Sequence, residues 1–140
     1  MPGVVVGVDD SDTARRAARR AVEVASALGE PLHLVTATRD TSSKVVQRGG
    51  DEFVIDATEP ATRLLDEIRR EIGAPDASTT VGGADPAGAI CDEAERIGAS
   101  TIVVGNRRVQ GVARVLGAVA SDVLKRAPCD VLVVRTVDGD

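Results

Sequence analysis

Gly105, Gly111 and Gly117 punctuate a stretch that leaves the apolar run Thr101-Ile-Val-Val104, carries Arg107, Arg108 and Arg114, and arrives at Ala118-Val119-Ala120. Each part suits an anion. Glycine lets backbone approach closely, a helix starting just beyond presents N–H groups at the positive end of its dipole, and arginine adds charge and paired donors. The chemistry on offer is phosphate binding. A second stretch, Asp9-Asp10-Ser11, follows the β-branched run Val4-Val-Val-Gly-Val8. Its carboxylates either cap the helix that comes next or hold a metal ion that bridges phosphates, and the sequence leaves both readings open.

Other chemistries fail on particular residues. A phosphate loop of the triphosphatase kind needs a lysine and a hydroxyl directly after its last glycine, yet Gly111 is followed by Val112 and Ala113. No Gly-x-Gly-x-x-Gly follows the first apolar run, so an ordinary dinucleotide fold has no support. A hydrolytic triad needs a movable base, and the one histidine, His33, falls inside a strand-like run where it reads as structural. Cys91 and Cys129 have neither Cys-x-x-Cys spacing nor a nearby His and read as buried, inert thiols.

The elements that must position the two loops follow from periodicity. Val4–Val8 is too short and too β-branched for a helix, so it is the first strand. Ala14, Ala17, Ala18, Ala21, Val22, Ala25 and Leu28 recur at helical spacing, with Arg15, Arg16, Arg19, Arg20 and Glu23 on the other, solvated face and Gly29 as the stop. Leu32–Thr38 is the second strand. The polar stretch 39–59 is too long for a structureless loop in a compact domain, which predicts short elements around Val45-Val46 and Phe53–Ile55. Ala61, Leu64, Leu65, Ile68 and Ile72 mark the next helix, and a weak strand runs from Ala77 to Val81. Asp85 and Pro86 open a third helix, Asp85 as its cap, with Ala89, Ile90, Ala94 and Ile97 on its apolar face. Thr101–Val104 is a strand covered on both faces, Ala118–Lys125 a short helix, and Asp130–Arg135 the last strand.

Strands and helices therefore alternate, which calls for an α/β fold: an open, parallel, five-stranded sheet with helices on both faces. Ligands of such sheets bind beyond the carboxyl ends of strands where the order reverses. Both loops lie at such ends and face each other across one crevice if the first and fourth strands are neighbours.

Composition bounds the partners. The chain has 140 residues, 43% of them hydrophobic, which suits one domain over residues 1–140. Its 17 basic against 22 acidic side chains disfavour nucleic acid, and Phe53, the lone aromatic residue, offers no stacking platform. No segment approaches the length of a bilayer span and the N-terminus lacks a signal-peptide pattern, so a cytoplasmic location away from membranes is expected.

Several of these residues together resemble the universal stress protein family over nearly the whole chain. Val6-Gly-Val-Asp-Asp-Ser11 is similar to the family's opening strand and turn, Gly83-Ala-Asp-Pro-Ala87 to the start of its third helix, and Ala127-Pro-Cys-Asp-Val-Leu-Val-Val134 to its closing segment. Gly105-Asn-Arg-Arg108 with Gly111 and Gly117-Ala-Val119 resembles the glycine motif of the ATP-binding members, Gly-x-x-Gly, a spacer, then Gly followed by Ser or Thr.

The resemblance implies a Rossmann-like sheet of strand order 3-2-1-4-5 and a stress-response regulator that binds ATP or a related adenine nucleotide. Asp9 would face ribose and phosphates, Ala37 would meet adenine through its backbone, and Gly105 would lie beside the ribose. Gly117, Ala118 and Val119 would offer N–H groups to phosphate, Arg107 and Arg108 would stand in the loop, and Asp9 or Asp10 would meet Mg2+ carried by the nucleotide. Two positions depart from the motif. Ala118 replaces the hydroxyl residue, and Arg108 replaces a glycine, where it either clamps phosphate or bars the turn. If these departures abolish binding, the chain is a nucleotide-free dimeric interaction module; an enzyme-class rival is a slow Mg2+-dependent ATPase or adenylate-forming enzyme. A homodimer through Val131, Leu132, Val133 and Val134 is expected, because an apolar edge strand needs a cover and the family resembles this in pairing through its fifth strand.

Overall fold

The computed structural model describes residues 2–38, 43–48, 51–56, 58–106 and 116–135; of 43–48 and 51–56 it describes the backbone. In chain order the elements are β1 (Val4–Gly7), α1 (Asp12–Leu28), β2 (Leu32–Ala37), β3 (Ser43–Arg48), β4 (Asp51–Asp56), α2 (Glu59–Glu71), β5 (Ser78–Gly82), α3 (Pro86–Ile97), β6 (Thr101–Asn106), α4 (Ala118–Arg126) and β7 (Asp130–Arg135).

Five strands form a parallel sheet in the order β5-β2-β1-β6-β7, which is 3-2-1-4-5 when the sheet's own strands are counted along the chain. The order reverses between β1 and β6. Val4 sits opposite Leu32 on one side and Thr101 on the other, so the carboxyl ends of β1 and β6 finish side by side.

Period-two alternation divides the sheet's residues between two cores. Val4, Val6, Leu34 and Val103 face α1 and α2, where Ala17, Ala18, Ala21, Leu65 and Ile68 close over them. Val5, Val35, Ile102 and Val104 face α3 and α4, against Ala87, Ile90, Ala94, Ala120 and Val123. The alanine stripe of α1 brings that helix's backbone close to the sheet, because every buried residue on its inner face is alanine. Glu93 is the buried exception on α3. It accepts hydrogen bonds from Thr80 of β5 and Arg96, and the Arg96 guanidinium above all holds its carboxyl below the usual range although burial pushes it the other way.

The stretch 39–59 contains the expected short elements, and they are longer than read. β3 and β4 pair antiparallel from Ser43 with Asp56 to Arg48 with Asp51, bringing Val45 opposite Val54 and Val46 opposite Phe53. Two β-branched runs on either side of Gly49-Gly50 are a hairpin signal that outweighs the polar residues around them.

Two expectations are corrected. Arg15 is not on a solvated face: its side chain is 14% exposed and bridges α1 to α2 through Glu71 at 2.8 Å and Glu67 at 3.6 Å, and to Asp10 at 3.0 Å. Asp85 occupies the cap position of α3 without closing a capping hydrogen bond. Its carboxylate pairs instead with Arg126 of α4 at 2.7 Å, which, with the nearby amide of Gly88, holds its pKa below the ordinary value.

Candidate functional site

A cavity of about 440 Å³ opens where the strand order reverses. Gly7, Val8 and Asp9 reach it from the end of β1, Thr36 and Ala37 from β2, and Val104 and Gly105 from β6. Helices complete it: Ser11, Thr13 and Ala14 at the start of α1, Pro86 and Ile90 of α3, and Gly117 to Ala120 at the start of α4. The site residues expected from sequence at Asp9, Ala37, Gly105, Gly117, Ala118 and Val119 thus share one cavity. Arg107 and Arg108, with Gly111 and Arg114, lie outside the described residues.

Gly7 and Gly105, which bound the cavity, are fixed by packing. A Cβ on Gly7 would come within 2.2 Å of Ile90 Cδ1, and one on Gly105 within 2.9 Å of Thr13 Cγ2 and 3.1 Å of the Thr13 carbonyl oxygen. Helices α3 and α1 therefore approach the sheet directly at the cavity wall. The wall this leaves is largely aliphatic.

Polar groups enter at two places. Ser11 caps α1: its hydroxyl accepts the Ala14 N–H at 3.1 Å and donates to Asp9 Oδ1. Asp9 is thereby oriented on the rim by the same residue that starts the helix. Asp10 is 80% exposed on its side chain and turned to Arg15, so of the two neighbouring aspartates Asp9 is the one that lines the cavity. Across from it, α4 begins with Gly117 in an extended conformation at φ −64° and ψ 162° and without a capping side chain of its own. The first intrahelical bond runs from the Ser121 N–H to the Gly117 carbonyl at 2.9 Å. Helix geometry leaves the amides of Ala118, Val119 and Ala120 without intrahelical acceptors, at the positive end of the dipole.

The Gly117 N–H is engaged: it donates to Asn106 Oδ1 at 2.7 Å. The family resemblance offers the Gly117 N–H to phosphate and does not point to Asn106. The signal available was a carboxamide at the last residue of β6, directly before the glycine-spaced segment.

The remaining titratable candidates stand elsewhere. His33 is at the amino end of β2, beside Val5 and Ser78, whereas the cavity lies beyond the carboxyl end at Ala37. Burial lowers its pKa, and its Nδ1 is enclosed without a hydrogen-bond partner among the described residues. Burial likewise raises the thiol pKa values of Cys91 and Cys129. Among the described residues no group of three or more His, Cys, Asp or Glu side chains is gathered for a metal, and no helix is long and apolar enough to cross a membrane.

This architecture has relatives. The universal stress protein family model matches residues 2–135. A universal stress protein of Mycobacterium tuberculosis is 30% identical over 95% of each chain. A solved universal stress protein in complex with cAMP is 30% identical and superposes with a TM-score of 0.71, covering 97% of this chain and 98% of the other. One from Lactobacillus plantarum is 25% identical at a TM-score of 0.69, with 96% and 97% covered. The chain belongs to the universal stress protein family.

Proposed function

We propose that this chain binds ATP or a related adenine nucleotide in the cavity between Asp9 and the start of α4, and that it acts as a cytoplasmic regulator in a stress response more than as a catalyst. The observation that carries the reading is the convergence of an aliphatic slot, one oriented carboxylate and the first-turn amides of α4 at the reversal of strand order. Phosphate would sit on the amides of Ala118 and Val119, ribose hydroxyls would donate to Asp9 beside Gly105, and the base would rest near Ala37. The cavity fits such a ligand in kind. With no Trp or Tyr to stack on, affinity is modest. The relative solved with cAMP, at 30% identity, supports the adenine reading. A Mg2+ ion, if the nucleotide brings one, would meet Asp9.

Calorimetric titration and thermal unfolding with MgATP, AMP and cAMP test this. Heat and a raised Tm are expected at millimolar nucleotide; neither heat nor stabilisation would overturn it, since a ligand of the folded state must stabilise that state. Acid release of nucleotide from the purified protein separates the enzyme reading. ADP or AMP formed from ATP on the protein would favour a slow ATPase or adenylate-forming activity through Asp9.

The interaction-module reading has its own observation. β7 ends the described sheet, and Val131 to Val134 remain half-buried rather than covered. We propose a homodimer through this edge, compatible with either ligand state.

A further inference from the structure

Two helices of one core layer build the phosphate end of the cavity. α3 supplies Pro86 and Ile90, and α4 supplies Gly117 to Ala120 with the first-turn amides. How far those amides stand from the aliphatic wall therefore depends on how α4 sits against α3. Apolar packing alone sets that loosely, because the side chains the two helices bury in this layer include Ala87, Ala94 and Ala120, small groups whose contact has no direction. A polar contact at each end of α4 supplies the direction. At its start the Gly117 N–H donates to Asn106 Oδ1 at 2.7 Å. At its end Arg126 Nη1 donates to Asp85 Oδ2, also at 2.7 Å, and Asp85 directly precedes Pro86 of the cavity wall.

The third member of that second contact is Gly88. It is buried, and a Cβ there would come within 2.7 Å of Asp85 Oδ2 and 3.0 Å of Arg126 Nη2, so the ion pair lies across α3 on bare backbone. Asp85, Gly88 and Arg126 line a separate groove with Glu93, and none of the three lines the cavity. We infer that Arg126, strapped over Gly88 to Asp85, is a positioning residue: it holds the anion seat of α4 in place against α3 and acts on a nucleotide only through that helix. This rests on the nucleotide reading above.

The sign of the effects separates position from charge. AMP, MgATP and adenosine are titrated by calorimetry into the wild type, Arg126→Gln, Asp85→Asn, the double variant and Gly88→Ala, with Tm recorded for each. Were Arg126 merely a positive charge, its loss would weaken phosphate binding and the loss of Asp85 would strengthen it. A strap needs both ends. Either single substitution then weakens AMP and MgATP by about two- to fivefold, the scale of an exposed ion pair, and the double variant does no worse than either alone. Adenosine, without phosphate, keeps its affinity, and the shared sign decides even where adenosine binds too weakly to titrate. Gly88→Ala is the sharpest case, because alanine suits a helix better than glycine while its methyl displaces only the ends of two flexible side chains. Its Tm holds or rises while its affinity for AMP and MgATP falls, a combination that a purely structural role would not give. Opposite signs for Arg126→Gln and Asp85→Asn, adenosine weakened along with the nucleotides, or folded variants that bind as the wild type does overturn the inference and leave nucleotide binding standing. A wild type that binds neither AMP nor MgATP overturns the underlying reading and the inference with it.

Discussion

Ala118 stands on the cavity at the first helical position of α4, where a hydroxyl would lie beside the same anion as the backbone amide. Ala118→Ser adds that donor without changing the helix's start, since position and size are compatible with a first turn. One added hydrogen bond contributes roughly 0.5–1.5 kcal/mol, so nucleotide affinity rises about 2- to 10-fold, read by calorimetric titration against the wild type. An unchanged affinity would place the phosphate elsewhere. Asp9 carries the opposite expectation. Asp9→Asn keeps the shape but loses the charge that strengthens hydrogen bonds from ribose hydroxyls, and adenosine itself, lacking phosphate, shows the loss as a weaker titration. At this scale the glycines at 105 and 117 were legible through their spacing, while Val119 was pointed to by the family resemblance; all three line the cavity. The sequence was silent where a side chain acts at a distance of eleven residues. Nothing in the pattern of Asn106 and Gly117 says that one would satisfy the other.

Element placement depends on contacts that tolerate no added atom. Gly7 ends β1 under Ile90 of α3, and a methyl there would lie 2.2 Å from Ile90 Cδ1 and 2.8 Å from Ile90 Cγ1. Ile90 is itself buried, and the space open to its side chain is the cavity it lines. Gly7→Ala therefore pushes Ile90 into the site and destabilises the fold by about 1–3 kcal/mol, the usual cost of overpacking, measurable as a fall in urea midpoint at constant m. The five sheet strands and four helices were readable because apolar period and turn residues agreed along each segment. The hairpin was readable only in outline, since its strands are mixed with charged residues and the signal came from Gly49-Gly50. Arg15 shows the limit of helical-face reasoning. The wheel placed it with Arg16, Arg19 and Arg20, but α2 packs across that edge of α1 and brings Glu67 and Glu71 to it, a partner that lies over fifty residues away in sequence and has no local signature.

For the molecule as a whole, pH acts through groups whose ionisation differs between folded and unfolded chains. His33 has a folded pKa lowered from 6.5 by burial. As pH falls below that value the unfolded chain takes the proton first, so stability present at neutral pH is lost from 6.5 downward. Glu93 and Asp85, both lowered by arginine partners, add a second loss only below the ordinary carboxylate range. Tm should fall between pH 7 and pH 5.5 in the wild type and stay flat there in His33→Gln, with the acid limb unchanged in both. Association is the remaining property of the whole. Among the described residues no strand pairs with the outer side of β7, which carries Val131, Leu132, Val133 and Val134, whose side chains already pack on both cores. A second copy would satisfy that edge by symmetry, because the same strand would meet itself across a two-fold axis. Val133→Lys sets a charge within the pairing strand on the face toward α3 and α4, so a dimer built on this edge weakens sharply while a dimer built elsewhere does not change. Light scattering at micromolar concentration reads the difference, with Tm recorded alongside because Val133 also contributes to the core. A dimeric wild type and a folded, monomeric Val133→Lys are expected. A wild-type monomer, or a dimer indifferent to the lysine, would show that β7 is not where copies of this chain meet.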